Sequence, residues 1–301
     1  MVKVEQIDGR IAALSIDGFV TCWLIRDHRL VLVEAGPPAC HADLVAGLRQ
    51  LSLSPEQLDF LVITHIHIDH VGAAGYLARA NARLKIFVHR SGVKHLLDPT
   101  VLLAQVRGAY AGTYNGAEML PITVPERIVA VGTGERIELG ESFLDVCETP
   151  GHARHHVVYF DPASDGVFAG DALGSFYPGH PSFVLAPPPD YDRELAKRSI
   201  ATIRARRSRR IYFTHGGLRE LGEPFYEELA AKHDLWTARV REILQNYPEA
   251  ADHEILAQFL MRIPELAAYP DQLFSFRLSV RGILGYIRKT RKSKGDVLQP
   301  A

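Results

Sequence analysis

Between Leu61 and Gly72 the chain reads Leu-Val-Ile-Thr-His-Ile-His-Ile-Asp-His-Val-Gly, four metal-ligand side chains crowded into one turn. The apolar stretch Leu58 to Ile63 has the composition of a buried strand, and Gly72 to Ala80 that of a small-residue helix. His65, His67, Asp69 and His70 therefore lie where the chain leaves a strand and side chains can converge. The alternation in His-x-His sets His65 and His67 on one side of an extended segment, while Asp69 and His70 turn away. That division suits a pair of ions sharing one pocket. A lone histidine in a chain of this size is ordinarily a core or surface residue, but four ligand-type residues together reverse that expectation.

Three further blocks follow the same design. Thr149-Pro150-Gly151-His152 closes the alternating run Phe143 to Glu148, Phe168-Ala169-Gly170-Asp171 closes the run Gly166 to Ala169, and Tyr212-Phe213-Thr214-His215-Gly216-Gly217 closes a fourth. Each ligand stands where a strand runs out into a glycine-containing turn, so the backbone can bend sharply and aim the side chain.

In this order and spacing, His65-Ile66-His67-Ile68-Asp69-His70 and its three companions resemble the metallo-β-lactamase-fold hydrolases over roughly residues 10 to 217. The resemblance implies an α/β chain: an αββα sandwich, two sheets packed face to face between outer helices, with the metal site at one sheet edge. It also implies two divalent ions, with His65, His67 and His152 on the first, Asp69, His70 and His215 on the second, and Asp171 bridging both. Imidazole and carboxylate without thiolate suits Zn²⁺ and also accepts Fe or Mn. Coordination positions left open by this set mark a catalytic rather than a structural centre.

The implied reaction is hydrolysis of an ester-type bond (thioester, lactone or phosphoester) of a small molecule by a metal-bound hydroxide, with Asp69 as ligand and catalytic proton relay. Within the resemblance, Asp171 separates the chain from β-lactamases, which generally lack that carboxylate. Gly174 stands where homoserine-lactone lactonases carry a tyrosine, and a helical tail after Thr-Pro-Gly-His resembles glyoxalase II. The rival readings are a mononuclear iron persulfide dioxygenase of the same fold, a nuclease, and a non-catalytic binding protein.

Residues around the motifs carry secondary expectations. Glu34 is expected to brace the metal loop rather than touch substrate, and His156 to support the site without ligating. Thr64 and Thr214 could equally orient the ligands they precede or serve as β-branched strand residues. His28, His89, His95, His233 and His253 lack a cluster and read as ordinary histidines. The segment Ala172 to Asp192 is rich in proline and aromatic residues, including Pro178, His180, Pro181 and Pro187 to Pro189. Phe176, Tyr177 and Phe183 within it are expected to roof the pocket and hold an apolar substrate portion. Arg277, Arg281, Tyr286 and Arg288 lie on the last helical stretch, where one or two cations could face the pocket.

The 301 residues accommodate a catalytic domain over 1–219 and a helical extension over 220–301 packing beside the active site. Helices are expected at His41 to Leu51, Thr100 to Met119, Arg193 to Arg206, Glu220 to Asn246, His253 to Ile263 and Leu273 to Lys289. A formal net charge of −1 gives no bulk attraction for nucleic acid, and the basic run Arg204 to Arg210 reads as a helix terminus. The expected partner is a small-molecule substrate, with neither membrane nor nucleic acid, and the sequence leaves a homo-oligomer open. No signal-peptide pattern and three scattered cysteines lead to the expectation of a cytoplasmic protein.

Overall fold

The computed structural model describes residues 1–110, 118–177, 183–185, 187–263, 266 and 273–293. The first sheet holds β1 (Val2–Gln6), β2 (Ile11–Ile16), β3 (Val20–Arg26), β4 (Leu30–Val33), β5 (Phe60–Val62), β6 (Lys85–His89) and β7 (Ile128–Val131), side by side in that order. Pairing is antiparallel from β1 to β4 and parallel from β4 to β7. Parallel neighbours need crossovers. These are α1 (His41–Gln50), then α2 (Ile68–Val71) with α3 (Ala74–Ala80), then α4 (Val93–Leu97) with α5 (Thr100–Tyr110).

The second sheet contains β8 (Arg136–Glu138), β9 (Phe143–Glu148), β10 (Val157–Asp161), β11 (Gly166–Gly170), and, later in the chain, Arg210–Phe213 and Gly217–Glu220. Between β11 and those last two strands lie the short pair β12 (Ser175–Phe176) and β13 (Phe183–Val184) and helix α6 (Arg193–Ala205), so Arg210–Phe213 is β14 and Gly217–Glu220 is β15. The order is β15-β14-β11-β10-β9-β8, with β11 and β14 parallel and the other neighbours antiparallel. Helices α7 (Glu223–Asn246), α8 (Asp252–Arg262) and α9 (Leu273–Ser293) complete the chain.

Alternating side chains set the layers. On β3, Val20, Cys22 and Leu24 pack under the crossover helices, while Trp23 and Ile25 face the second sheet. There they meet Val157, Tyr159, Phe168 and Tyr212. The other face of the second sheet, with Val158, Phe160 and Phe213, packs on α6 to α9. A strand apolar on both faces is stable only between two layers, and the result is helix, sheet, sheet, helix. Helices α7 to α9 share this cluster with α6, through Trp236, Phe259 and Phe276. Among the described residues no helix is long and apolar enough to cross a membrane.

The structure departs from the sequence expectations in three places. Helix α5 runs to Tyr110, with 111–117 outside the described residues and Glu118 and Met119 non-helical. The chain does not turn helical directly after Gly217, because β15 first pairs with β14 and α7 begins at Glu223. Hairpin pairing supplies partners to the free edge of β14. The expected helix Gly72 to Ala80 is preceded by a separate turn, α2, and Gly72 lies so close to Pro38 that a Cβ would overlap the proline ring.

Candidate metal centre

The four motif blocks end at one edge of the sandwich and are laced together by backbone. The Val157 amide donates to the Thr64 carbonyl (2.8 Å), the Thr21 amide to the Thr214 carbonyl (2.7 Å), and the Phe176 amide to the His215 carbonyl (2.9 Å). His67 is extended and caps α2, whose single turn carries Asp69 and His70 away from His65 and His67.

Their donor atoms converge. His65, His67 and His152 form one group, Asp69, His70 and His215 another, and His65, His70 and Asp171 a third between them, each with ligand atoms within 4.8 Å of one another. His67 Nδ1 lies 2.8 Å from His65 Nε2 and 2.9 Å from His152 Nε2. Asp171 turns Oδ2 toward His152 Nε2 (3.4 Å) and Oδ1 toward His70 Nε2 (3.5 Å) and His215 Nε2 (3.7 Å). One carboxylate thus faces both halves.

Hydrogen bonds behind the rings fix which nitrogen faces the centre. Glu34 is fully buried, and its carboxylate accepts from the Thr64 hydroxyl, the Thr64 amide, the Thr214 hydroxyl (3.4 Å) and His70 Nδ1 (3.1 Å). A carboxylate only accepts, so the His70 proton sits on Nδ1 and the Nε2 lone pair faces the centre. The Thr64 hydroxyl proton is committed to Glu34, so the Thr64 oxygen accepts from His65 Nδ1 (3.0 Å) and frees His65 Nε2. The Phe19 carbonyl accepts from His215 Nδ1 (2.7 Å) and frees His215 Nε2. Outer partners of this kind orient ligands and raise their basicity. Thr64 and Thr214 are therefore both orienting residues, and Glu34 braces the loop from a left-handed backbone (φ +68°).

His156 is spoken for. Its Nε2 accepts the Asp171 amide (3.1 Å) and its Nδ1 meets the Thr149 hydroxyl (2.8 Å), so it positions Asp171. Gly170, at φ +49°, passes over this network so closely that a Cβ would fall 2.5 Å from Thr64 Oγ1 and 2.7 Å from His156 Nε2.

Charge and polar geometry fit divalent cations. His70 Nε2 and Asp171 Oδ1 are buried without a hydrogen-bond partner, a costly arrangement unless a cation joins them. Burial opposes ionisation of Asp69 and Asp171, yet the surrounding imidazoles, His70 foremost, hold both carboxyls below the usual carboxylate range. Burial likewise opposes charge on His70 and His215, but Asp171 and its fellow carboxylates raise both. Asp69 and Asp171 therefore bring negative charge into a buried pocket, while burial and neighbouring imidazoles keep His65 and His67 neutral.

The aromatic residues expected to roof the site need correction. Phe176, Tyr177 and Phe183 keep only 5%, 8% and 5% exposure. Phe176 and Phe183 pair across β12 and β13, and their rings pack on Phe225, with Phe176 also on Phe213. Core packing uses the surface that a substrate would need. Pro178, His180 and Pro181 lie outside the described residues. Among the described residues, the exposed aromatic ring at the centre is instead Phe19, 43% exposed with its ring 4.8 Å from that of His215. Sequence reading missed it because a backbone carbonyl at a hairpin tip has no side-chain signature.

Four of the five arginines of the basic run are paired locally. Arg204 pairs with Glu223 and Glu227, Arg206 with Asp145, Arg209 with Glu220 and Arg210 with Asp8. On α9, Arg281 pairs with Asp252 and Tyr286 is buried.

The profile of the metallo-beta-lactamase superfamily matches residues 16–215, the span that carries every ligand described above. The chain belongs to the metallo-beta-lactamase superfamily. Its relatives include the metallo-beta-lactamase fold-containing protein ST1585 of Sulfurisphaera tokodaii, 29% identical over 171 residues, or 54% of this chain and 62% of that protein. A hydroxyacylglutathione hydrolase of Thermosynechococcus vestitus is 34% identical over 181 residues, covering 58% of each chain. The superfamily member thus spans about six tenths of the length of these curated relatives. Among solved structures, a metallo-beta-lactamase family protein of Thermus thermophilus superposes with a TM-score of 0.66 at 20% identity, covering 94% of this chain and 91% of that one. The archaeal ST1585 structure gives 0.65 at 21%, covering 91% and 98%. Both show the αββα fold.

Proposed function

We propose that this metallo-beta-lactamase-fold protein is a dinuclear metal-dependent hydrolase of a small-molecule ester-type bond, with thioesters as the substrate class. The observation that carries the metal reading is the convergence of seven donors with three imidazole tautomers fixed from behind. His65, His67 and His152 would hold one ion, Asp69, His70 and His215 the other, and Asp171 would be shared. Such ions, most suitably zinc, polarise an acyl oxygen and acidify water.

The chain's own groups do the rest. Glu34, Thr64 and the Phe19 carbonyl keep the His70, His65 and His215 lone pairs aimed inward. His67 and Asp69 are the half-buried ligands, whereas His65, His70, His152, Asp171 and His215 are buried, so the mouth opens over His67 and Asp69. Asp69 Oδ2, 3.3 Å from His215 Nε2 and partly open to solvent, is placed to pass a proton between the centre and water. The exposed Phe19 ring offers the apolar wall beside it. Similarity to hydroxyacylglutathione hydrolases supports the thioester over the lactone and phosphoester.

Metal-reconstituted protein assayed against thioester, lactone and phosphotriester panels tests this reading. Thioester turnover that disappears on chelation and returns with zinc is the expected result. Oxygen consumption with a persulfide and a single iron per chain would replace it with the dioxygenase reading.

A further inference from the structure

His155 stands beside the metal ligands without being one of them. Its ring lies nearly parallel to that of His65, with centroids 6.1 Å apart at 13°, and edge-on to His67 at 5.7 Å and 88°. It is absent from each of the convergent ligand groups. It is half-buried and borders His67, one of the two half-buried ligands at the mouth.

The backbone fixes its hydrogen bonding. The Ile66 amide, between His65 and His67, points its N–H at His155 Nδ1 (3.4 Å). An imidazolium would set a second N–H against that donor, so the compatible ring is neutral with its proton on Nε2. Nε2 makes no hydrogen bond among the described residues and is not among the buried unpartnered atoms, so it is open to solvent. The ring thus stands against His65 and His67, beside the mouth, with its N–H donor on the nitrogen that Ile66 leaves free.

We propose that His155 is a further catalytic residue, whose Nε2–H donates to the oxygen anion that develops on the substrate carbonyl. The inference rests on the hydrolase reading above. It requires no change of protonation at His155, only a fixed donor where charge appears, which is the arrangement that stabilises a tetrahedral intermediate. His156, next in sequence, is excluded from this role because both its nitrogens are engaged.

The test compares wild type with His155→Phe, which keeps a flat ring against His65, and His155→Gln, which restores an N–H donor. Three readouts are taken on metal-loaded protein: metal stoichiometry, thioester kinetics, and affinity for a phosphonate that mimics the tetrahedral intermediate. The expected result for His155→Phe is unchanged metal content, kcat/KM lowered by about 100-fold, chiefly in kcat, and phosphonate binding weakened in parallel. His155→Gln recovers part of both losses. Wild-type turnover matched by His155→Phe, or a loss accounted for entirely by missing metal, overturns the role of His155 alone. Wild-type protein that neither hydrolyses the thioesters nor binds the phosphonate overturns the hydrolase reading, and this inference with it.

Discussion

His70 Nδ1 lies 3.1 Å from a carboxylate oxygen of Glu34, and both side chains are wholly buried. Glu34 lies one residue beyond β4 and His70 within α2, so this contact locks the C-terminal end of β4 to the turn that carries His70 and Asp69. The Ala35 and Gly36 amides reinforce it by donating to the His70 carbonyl (2.8 and 3.1 Å). Replacing Glu34 by alanine removes the acceptor that holds His70 and, through Thr64, His65. The expected outcome is metal affinity weakened by about 10- to 100-fold, measured by competition with a chromogenic chelator.

Gly170→Ala is expected to destabilise the fold by about 1–3 kcal/mol, because a left-handed backbone and a Cβ crowding Thr64 and His156 act together. Thermal unfolding of the metal-free protein reads this directly. An unchanged melting temperature would mean that the Thr64 and His156 network yields without cost.

Phe183 and Phe19 should separate cleanly. Phe183→Ala opens the cluster with Phe176 and Phe225, and is expected to cost about 3–5 kcal/mol of stability. Phe19→Ala leaves the core alone and keeps its carbonyl on His215. It should raise KM for thioesters with large acyl groups by about 10-fold, with metal content unchanged. Denaturant titration and steady-state kinetics on both variants distinguish core from wall.

Much of this was legible in the sequence, because ligand chemistry and strand alternation are both local signals. The run Phe143 to Glu148 coincides with β9, and the run Gly166 to Ala169 falls within β11. Their alternating residues serve two cores at once, which is the pattern that sandwiched strands require. Three things were not local. The roles of Thr64 and Thr214 depend on reaching one buried glutamate from different parts of the chain. The aromatic residues after Asp171 resemble a pocket wall in sequence, but α7 arrives later in the chain and packs over them. Phe19 acts through its backbone and its place in space, neither of which composition records.

Away from the metal site, His233 on α7 gives a pH signature. It is buried against Tyr191, whose hydroxyl lies 2.7 Å from Nδ1, and burial drives its pKa down to about 3. The unfolded chain takes up a proton near pH 6.5 that the native ring refuses. Stability is therefore unaffected by this residue above about pH 6.5 and falls by about 1.4 kcal/mol per pH unit between there and about pH 3. Denaturation midpoints across that range should show a shallower acid slope in His233→Gln. An identical slope would assign the acid sensitivity to other groups.

Metal stoichiometry of the purified protein, followed through chelation, tests the proposed dinuclear centre most directly. The expected result is two divalent ions per chain, with thioester hydrolysis lost as they are removed and restored by zinc. Asp171→Ala, which deletes the carboxylate facing both halves, should bind fewer ions and lose nearly all activity. A single tightly held ion supporting full hydrolytic activity would contradict the account.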